Sequence, residues 1–185
     1  MSAIHKPNIF VFTGGSSSGK SSIIAELRGR GHTCIPEAGR IVVQKEQAAG
    51  GDGLPWVNLA RFRDRIFEKS VEAFKATEET VEPVFFDRSF LEALSCSHAL
   101  GITPPQEHLQ AVRDLRFNQT VFITPPWQEI FTNDAERKTT FEAAVKDYEM
   151  NRRVYAEAGY DLAEVPKGSV GERAEFVLGV VRAQG

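Results

Sequence analysis

The chain has 185 residues, 42% of them apolar, and carries 22 basic against 25 acidic side chains for a net charge of −3. That length suits one domain with a sizeable core. The missing basic surplus argues against a nucleic-acid binder, and no run approaches the ~20 apolar residues that cross a bilayer, so a cytoplasmic protein is expected.

Asn8 to Thr13 is rich in β-branched and aromatic residues and stops at Gly14-Gly15, the pattern of a buried strand. Lys20 to Arg30 follows as a helix, ended by Gly31, and His32 to Ile35 reads as a second strand ended by Pro36. The two cysteines, Cys34 and Cys96, form no C-x-x-C pair and read as small buried hydrophobes. Residues Ala48 to Pro55 are Gly-rich and suggest a mobile loop. Val57 to Lys75 is a long amphipathic helix with an apolar stripe of Leu59, Phe62, Ile66, Phe67, Val71 and Phe74. Val84 to Phe86 is a third strand, after which Ser89 and Glu92 have capping-box spacing and open a helix. Thr120 to Ile123 is a fourth strand, closed by Pro125-Pro126. Asn133 and Glu136 repeat the cap signal and predict a helix to about Ala158, with Gly159 as its stop. Leu162 to Val165 is a fifth strand and Val170 to Val181 a final helix. Strands alternating with helices imply parallel strands joined by crossovers. The expected fold is a three-layer α/β/α sandwich on a five-stranded parallel sheet, one domain over residues 1–185.

Gly14-Gly15-Ser16-Ser17-Ser18-Gly19-Lys20-Ser21 matches G-x-x-x-x-G-K-S/T, the phosphate-binding P-loop. The glycines let the backbone curl so that N–H groups point at phosphate oxygens. The following helix adds its positive N-terminal dipole. Lys20 serves as a point charge for the β- and γ-phosphates, and the Ser21 hydroxyl is the expected Mg²⁺ ligand. Gly14 to Ser21, with Ser22 behind them, form the expected nucleotide site for ATP or GTP.

Other residues choose among P-loop classes. The N-K-x-D guanine signature of Ras-like switches and the L-S-G-G-Q signature of transporter ATPases are both absent. Motor ATPases place Asp-Glu at the end of a buried strand, whereas here Arg88 follows Asp87. Asp-Arg at that point resembles nucleoside and nucleotide kinases. It would stand at the carboxyl edge of the sheet, where open α/β folds bind ligands. Asp87 is the second candidate for holding Mg²⁺, and Arg88 would contact a phosphate or the acceptor. Glu37, directly after the second strand, resembles the Glu that deprotonates the acceptor hydroxyl in deoxynucleoside kinases. Its alternative reading is a first-turn Glu favouring a helix N-terminus. Arg137 is the leading lid residue for neutralising transition-state charge, with Arg152 and Arg153 further along. Trp56 and Phe62 would line an acceptor groove, and Arg40, Arg61 and Arg65 would meet phosphate or carboxylate. Pro166 to Val170 resembles the loop that packs beside the purine ring in similar kinases.

Together these pieces resemble the AAA_28 family of predicted ATPases and kinases, P-loop domains similar to nicotinamide riboside kinases. The resemblance rests on the P-loop, Pro36-Glu-Ala-Gly-Arg40, Leu54-Pro-Trp56, Phe85-Phe-Asp-Arg-Ser89, Phe122-Ile-Thr-Pro-Pro-Trp127, Asp134-Ala-Glu-Arg137, and Gly159-Tyr160 with Val165-Pro166. It implies a kinase-like fold with a helical lid and phosphoryl transfer from nucleotide·Mg²⁺ to the hydroxyl of a small nucleoside- or riboside-like acceptor. The alternative is a nucleotide-hydrolysing regulatory protein without an acceptor. The oligomeric state stays open.

Overall fold

The computed structural model describes residues 3–132 and 139–184. Strand β1 (Ile4–His5) is followed by β2 (Ile9–Gly14), α1 (Lys20–Gly29), β3 (Thr33–Ile35), α2 (Ala38–Ala49) and α3 (Leu59–Ala76). Then come β4 (Val84–Asp87), α4 (Glu92–Ala99), α5 (Gln106–Asp114), β5 (Leu115–Arg116) and β6 (Thr120–Thr124). A 3₁₀ turn (Gln128–Ile130), α6 (Phe141–Glu157), β7 (Asp161–Glu164) and α7 (Val170–Arg182) complete the order.

The main sheet has five strands in the order β3-β4-β2-β6-β7, and each neighbouring pair is parallel. The five expected strands are the five of this main sheet. All six residues of β2 are buried, as a strand covered on both faces requires. Its side chains alternate between two cores. Ile9 and Val11 join Val84, Phe86, Phe74, Leu94 and Tyr155 on the face covered by α3 to α6. Phe10 and Phe12 join Phe85, Phe122, Ile23, Leu27 and Val177 on the face covered by α1 and α7. This is the expected three-layer α/β/α architecture.

The structure departs from the sequence expectations in four places. Helix α2 fills the stretch before the Gly-rich segment, with only Val42 and Val43 fully buried on it, too few to show a periodic stripe. Helix α5 and the small β1–β5 sheet are further elements that local patterning did not show. Ser89 and Glu92 form no capping box, because α4 starts with Leu91 at its N-cap and the Glu92 side chain points elsewhere. The box forms instead at Ser169 and Glu172, at the head of α7. Helix α6 starts at Phe141, capped by Thr140, whose side chain accepts from the Ala143 N–H. The cap signal at Asn133 and Glu136, and Arg137 itself, lie outside the described residues. Among the described residues no helix is long and apolar enough to cross a membrane.

Candidate active site

β2 is the central strand, and its neighbours β4 and β6 lie on opposite sides of it. Such a reversal of strand order leaves a crevice at the carboxyl ends, the binding position of open α/β sheets. Gly14 to Gly19 form the loop that leaves β2 there and enters α1. Gly14 at φ 128° and Gly19 at φ 84° adopt left-handed backbone that favours glycine, and Ser17 is held at φ 55°. Space also demands Gly14, since a Cβ there would lie 2.5 Å from the Thr124 carbonyl oxygen. The Ser18 Oγ and Thr124 Oγ1 share a hydrogen bond of 2.6 Å, and Ser17 Oγ donates to the Thr132 carbonyl, so the end of β6 and the segment after the 3₁₀ turn brace the loop. Lys20 is buried at the start of α1, and its Nζ donates to the Gly15 carbonyl at 2.6 Å and to Ser18 Oγ at 3.2 Å. Ser21 and Ser22 follow on the first turn of α1 and are exposed.

Beside the loop lies a cluster that the sequence shows only in part. Asp87 ends β4, level with Phe12, and is buried. Arg88 follows with φ 66°, a left-handed conformation that costs a non-glycine residue on the order of 1 kcal/mol. Its N–H donates to the Phe12 carbonyl at 2.9 Å, which ties the turn to β2. The Arg88 guanidinium meets three carboxylates. Nη1 donates to Glu92 Oε2 at 2.8 Å, Nη2 to Asp147 Oδ2 at 3.4 Å, and Nε is 3.5 Å from Glu37 Oε1. Glu37 stands at the N-cap position of α2, at the helix N-terminus as its alternative reading has it, without a side-chain capping bond. Gly39 packs closely beside it, since a Cβ there would come within 3.1 Å of Glu37 Oε1 and 3.5 Å of the Phe62 ring.

The electrostatics follow from burial. Burial works to lower the Arg88 pKa, but Glu92, Asp147, Glu37 and Asp87 outweigh it and hold the proton well above the usual guanidinium range. Burial pushes the Glu92 carboxyl up, opposed by Arg88 and by a 2.7 Å hydrogen bond from Thr13 Oγ1. Asp147 is aligned by Asn151 Nδ2 at 3.0 Å, and Asn151 in turn accepts from Ser95 Oγ at 2.6 Å. Sequence reading missed Glu92 because its spacing matched a helix cap, and Asp147 because a mid-helix carboxylate looks solvated.

The cluster forms one wall of a cleft of about 700 Å³. Ser16 of the phosphate loop opens into it, and α2, α3, α4 and α6 supply the other walls. The apolar stripe of α3 divides here. Leu59, Phe62 and Ile66 line the cleft, while Phe67, Val71 and Phe74 pack into the core. Trp56 lines the cleft at 57% exposure, and Arg40 lines it 3.7 Å from Glu37. Arg61 and Arg65 do not, being surface partners of Asp52 and of Glu46 and Glu68. Arg152 and Arg153 are exposed, with Arg153 paired to Glu157 at 3.0 Å.

On the other side of the loop, Arg173 of α7 is buried and donates to the Ser18 carbonyl at 3.0 Å. Its guanidinium lies 5.6 Å from the Trp127 ring centroid, and Lys167 Nζ of the Pro166 to Val170 segment lies 5.9 Å from it. Burial lowers the Arg173 pKa. Its one sequence signal is its place on the apolar face of α7, next to Ala174 and one turn before Val177.

Comparison with known proteins places the fold. Residues 9–173 match the AAA_28 family, described as an AAA domain. None of the curated proteins compared with the chain matches it. Among solved structures, deoxyadenosine kinase from M. mycoides, with products dCMP and a flexible dCDP bound, has a TM-score of 0.64 at 15% identity, covering 95% of this chain and 99% of that one. Shikimate kinase from Acinetobacter baumannii in complex with shikimate has a TM-score of 0.60 at 16% identity, covering 96% and 94%. Thymidylate kinase from Candida albicans has a TM-score of 0.53 at 10% identity, covering 95% and 91%. At these identities the likeness is one of fold.

Proposed function

The chain belongs to the AAA_28 family, and we propose that it transfers the γ-phosphoryl group of ATP or GTP to a hydroxyl of a small nucleoside- or riboside-like molecule. The observation that carries this reading is the cleft of about 700 Å³, which runs from Ser16 of the phosphate loop past the buried Glu37 carboxylate.

The backbone of Gly14 to Gly19 holds the phosphates, and Lys20 turns from the loop carbonyls to the β- and γ-oxygens. Ser21 and Asp87 present a hydroxyl and a carboxylate, hard oxygen donors that suit Mg²⁺. Among the described residues no group of three or more His, Cys, Asp or Glu forms a metal cage. A two-oxygen set fits an ion whose other ligands are phosphate and water. When bound, Mg²⁺ offsets phosphate charge as the β–γ bridge breaks. Glu37 accepts the acceptor's hydroxyl proton while that oxygen bonds to the γ-phosphorus and the bridging oxygen leaves with the nucleoside diphosphate. Arg88, with Nε 3.5 Å from Glu37 Oε1, aims the Glu37 carboxylate. Arg137 remains the proposed lid cation. The reading assigns residues 1–185 to one domain, acting in the cytoplasm on a small molecule rather than on nucleic acid.

The test incubates the protein with ATP·Mg²⁺ and a panel of nucleosides, ribosides and small alcohols, followed by mass spectrometry. A product heavier by one phosphoryl group is expected, and Glu37→Gln should lower its rate about 10²-fold or more. If no acceptor turns over and Glu37→Gln leaves basal hydrolysis unchanged, the kinase reading fails. Lys20→Ala should abolish tight nucleotide binding, and unchanged affinity would remove the nucleotide site itself.

A further inference from the structure

Arg173 is a cation held where a core would exclude one. It is 2% exposed, and among the described residues no carboxylate pairs with it, so burial alone acts on its pKa. Its buried Nε also has no hydrogen-bond partner among the described residues. A buried guanidinium without a counter-charge is costly unless an anion offsets it. The helix that carries it is firmly seated. Ala174, Val177 and Leu178 of α7 pack with Ile23, Ile24 and Leu27 of α1, which fixes the Arg173 head group relative to the phosphate loop.

The head group meets the peptide that joins Ser18 to Gly19. Nη2 donates to the Ser18 carbonyl at 3.0 Å, and Nη1 lies against Gly19, where a Cβ would come within 2.4 Å of it. Gly19 therefore makes room for Arg173 as well as adopting a φ of 84°. The Trp127 ring, 5.6 Å from the guanidinium, holds it in place by a cation–π contact. Ser18 is anchored a second time through its side chain, which shares the 2.6 Å hydrogen bond with Thr124 Oγ1. A trans peptide is planar, and its C=O and N–H point in opposite directions. With the Ser18 carbonyl turned to α7, the Gly19 N–H points away from α7 and into the curl of the loop, the side on which a P-loop takes phosphate. Without Arg173 this peptide would be free to flip, because glycine accepts either sign of φ.

We infer that Arg173 is a positioning residue of the donor site: it locks the Ser18–Gly19 peptide so that the Gly19 N–H faces the phosphates, and it sets an uncompensated positive charge beside the loop for a polyphosphate to offset. This rests on the nucleotide-site reading and not on the identity of any acceptor. Arg173 stands 155 residues from Ser18 along the chain, outside the P-loop motif.

The experiment titrates two probes into the whole chain by calorimetry, ATP·Mg²⁺ and Mg²⁺-tripolyphosphate, which has neither base nor ribose. Arg173→Met keeps an unbranched stem beside Trp127 and removes the donor and the charge. It should weaken both probes by the same factor, about tenfold or more, the effect of one charge-assisted hydrogen bond. Arg173→Lys keeps a charged donor and should recover part of that loss. Unchanged affinity in Arg173→Met overturns the inference, as does a lysine variant no better than the methionine one. A loss confined to ATP also overturns it, because it would put Arg173 at the nucleoside end. The unaltered protein gives a reading that needs no substitution to fold. In its NMR spectrum the Gly19 amide proton should move downfield when tripolyphosphate is added, and an unmoved Gly19 resonance overturns the inference. An unaltered chain that binds neither probe removes the nucleotide site and the role of Arg173 with it, whereas binding that survives Arg173→Met removes that role alone.

Discussion

Replacing Arg88 by alanine should destabilise the protein by about 3–5 kcal/mol near neutral pH, the usual cost of removing one partner from a buried ion pair. The figure rests on Glu92, 8% exposed and 2.8 Å from Arg88, and on Glu37, 8% exposed, which would keep only the longer contact to Arg40 at 3.7 Å among the ion pairs described. Asp147 adds little, because at 36% exposure water screens its charge. For a domain of this size each kcal/mol moves the melting point by roughly 2–4 °C, so a fall of roughly 6–20 °C is expected. Arg88→Gly should lose about 1 kcal/mol less than the alanine variant, because glycine accepts the φ of 66° without strain. The deficit should depend on pH with a definite sign. Burial already raises the Glu92 pKa above its unfolded value, and loss of Arg88 raises it further. A carboxyl with a raised folded pKa contributes stability that is fully present below its unfolded pKa and is lost as pH rises through the folded value. The variant's deficit should therefore be smallest near about pH 4 and grow toward neutrality. Urea unfolding followed by circular dichroism at acid and neutral pH measures both quantities. Glu92→Gln added to Arg88→Ala should recover part of the loss, since the two residues are in contact. A loss under about 1 kcal/mol, a pH-independent loss, or simple additivity in the double variant would refute the buried-cluster reasoning.

Gly14→Ala should cost about 2 kcal/mol or more and lower nucleotide affinity, because its Cβ would meet the Thr124 carbonyl oxygen at 2.5 Å and Thr124 Oγ1 at 2.7 Å. Thermal unfolding with and without nucleotide checks this, and an unshifted melting point would contradict it. Tyr148 is pushed up to about 12 by burial and by its hydrogen bond to Glu164. Its contribution should be complete below its unfolded pKa of about 10 and disappear as pH rises to about 12. A tyrosinate absorbance titration should lose that late step in Tyr148→Phe. The Cys96 thiol is pushed up to about 12, chiefly by burial. Peptide mapping after iodoacetamide at neutral pH should find Cys96 unmodified in the native protein and labelled after unfolding. Rapid native labelling would contradict the raised pKa of this partly buried thiol.

The nucleotide half of the site was legible because its chemistry is local. Gly14 to Ser21 are contiguous, the strand before them is a continuous apolar run, and the α/β/α fold follows from strands alternating with helices. Glu37, Asp87 and Arg88 were legible for the same reason, since each directly follows or ends an apolar strand. Trp56, Phe62 and Arg40 were also placed at the cleft by local reading, whereas the carboxylate cluster around Arg88 was not legible as a cluster, and the physical cause is the distance along the chain between its parts. Glu37, Glu92 and Asp147 reach Arg88 from three separate helical elements, and nothing in the sequence links those positions. Ser89 and Glu92 show the conflict most clearly. Their spacing is that of a helix cap, and Ser169 and Glu172 with the same spacing do form one. At Glu92, burial beside an arginine made a charge pair more favourable than a cap, and only the packing of β2, α4 and α6 could decide that. Arg61 and Arg65 make the converse point. Sequence alone set them on a helix beside the acceptor stripe, but the rotation of α3 against its neighbours turned them to Asp52, Glu46 and Glu68 and away from the cleft. Local sequence thus determined where a phosphate would be held, while tertiary packing determined which charges an acceptor would meet, because charge in a cleft is set by side chains that converge from remote segments.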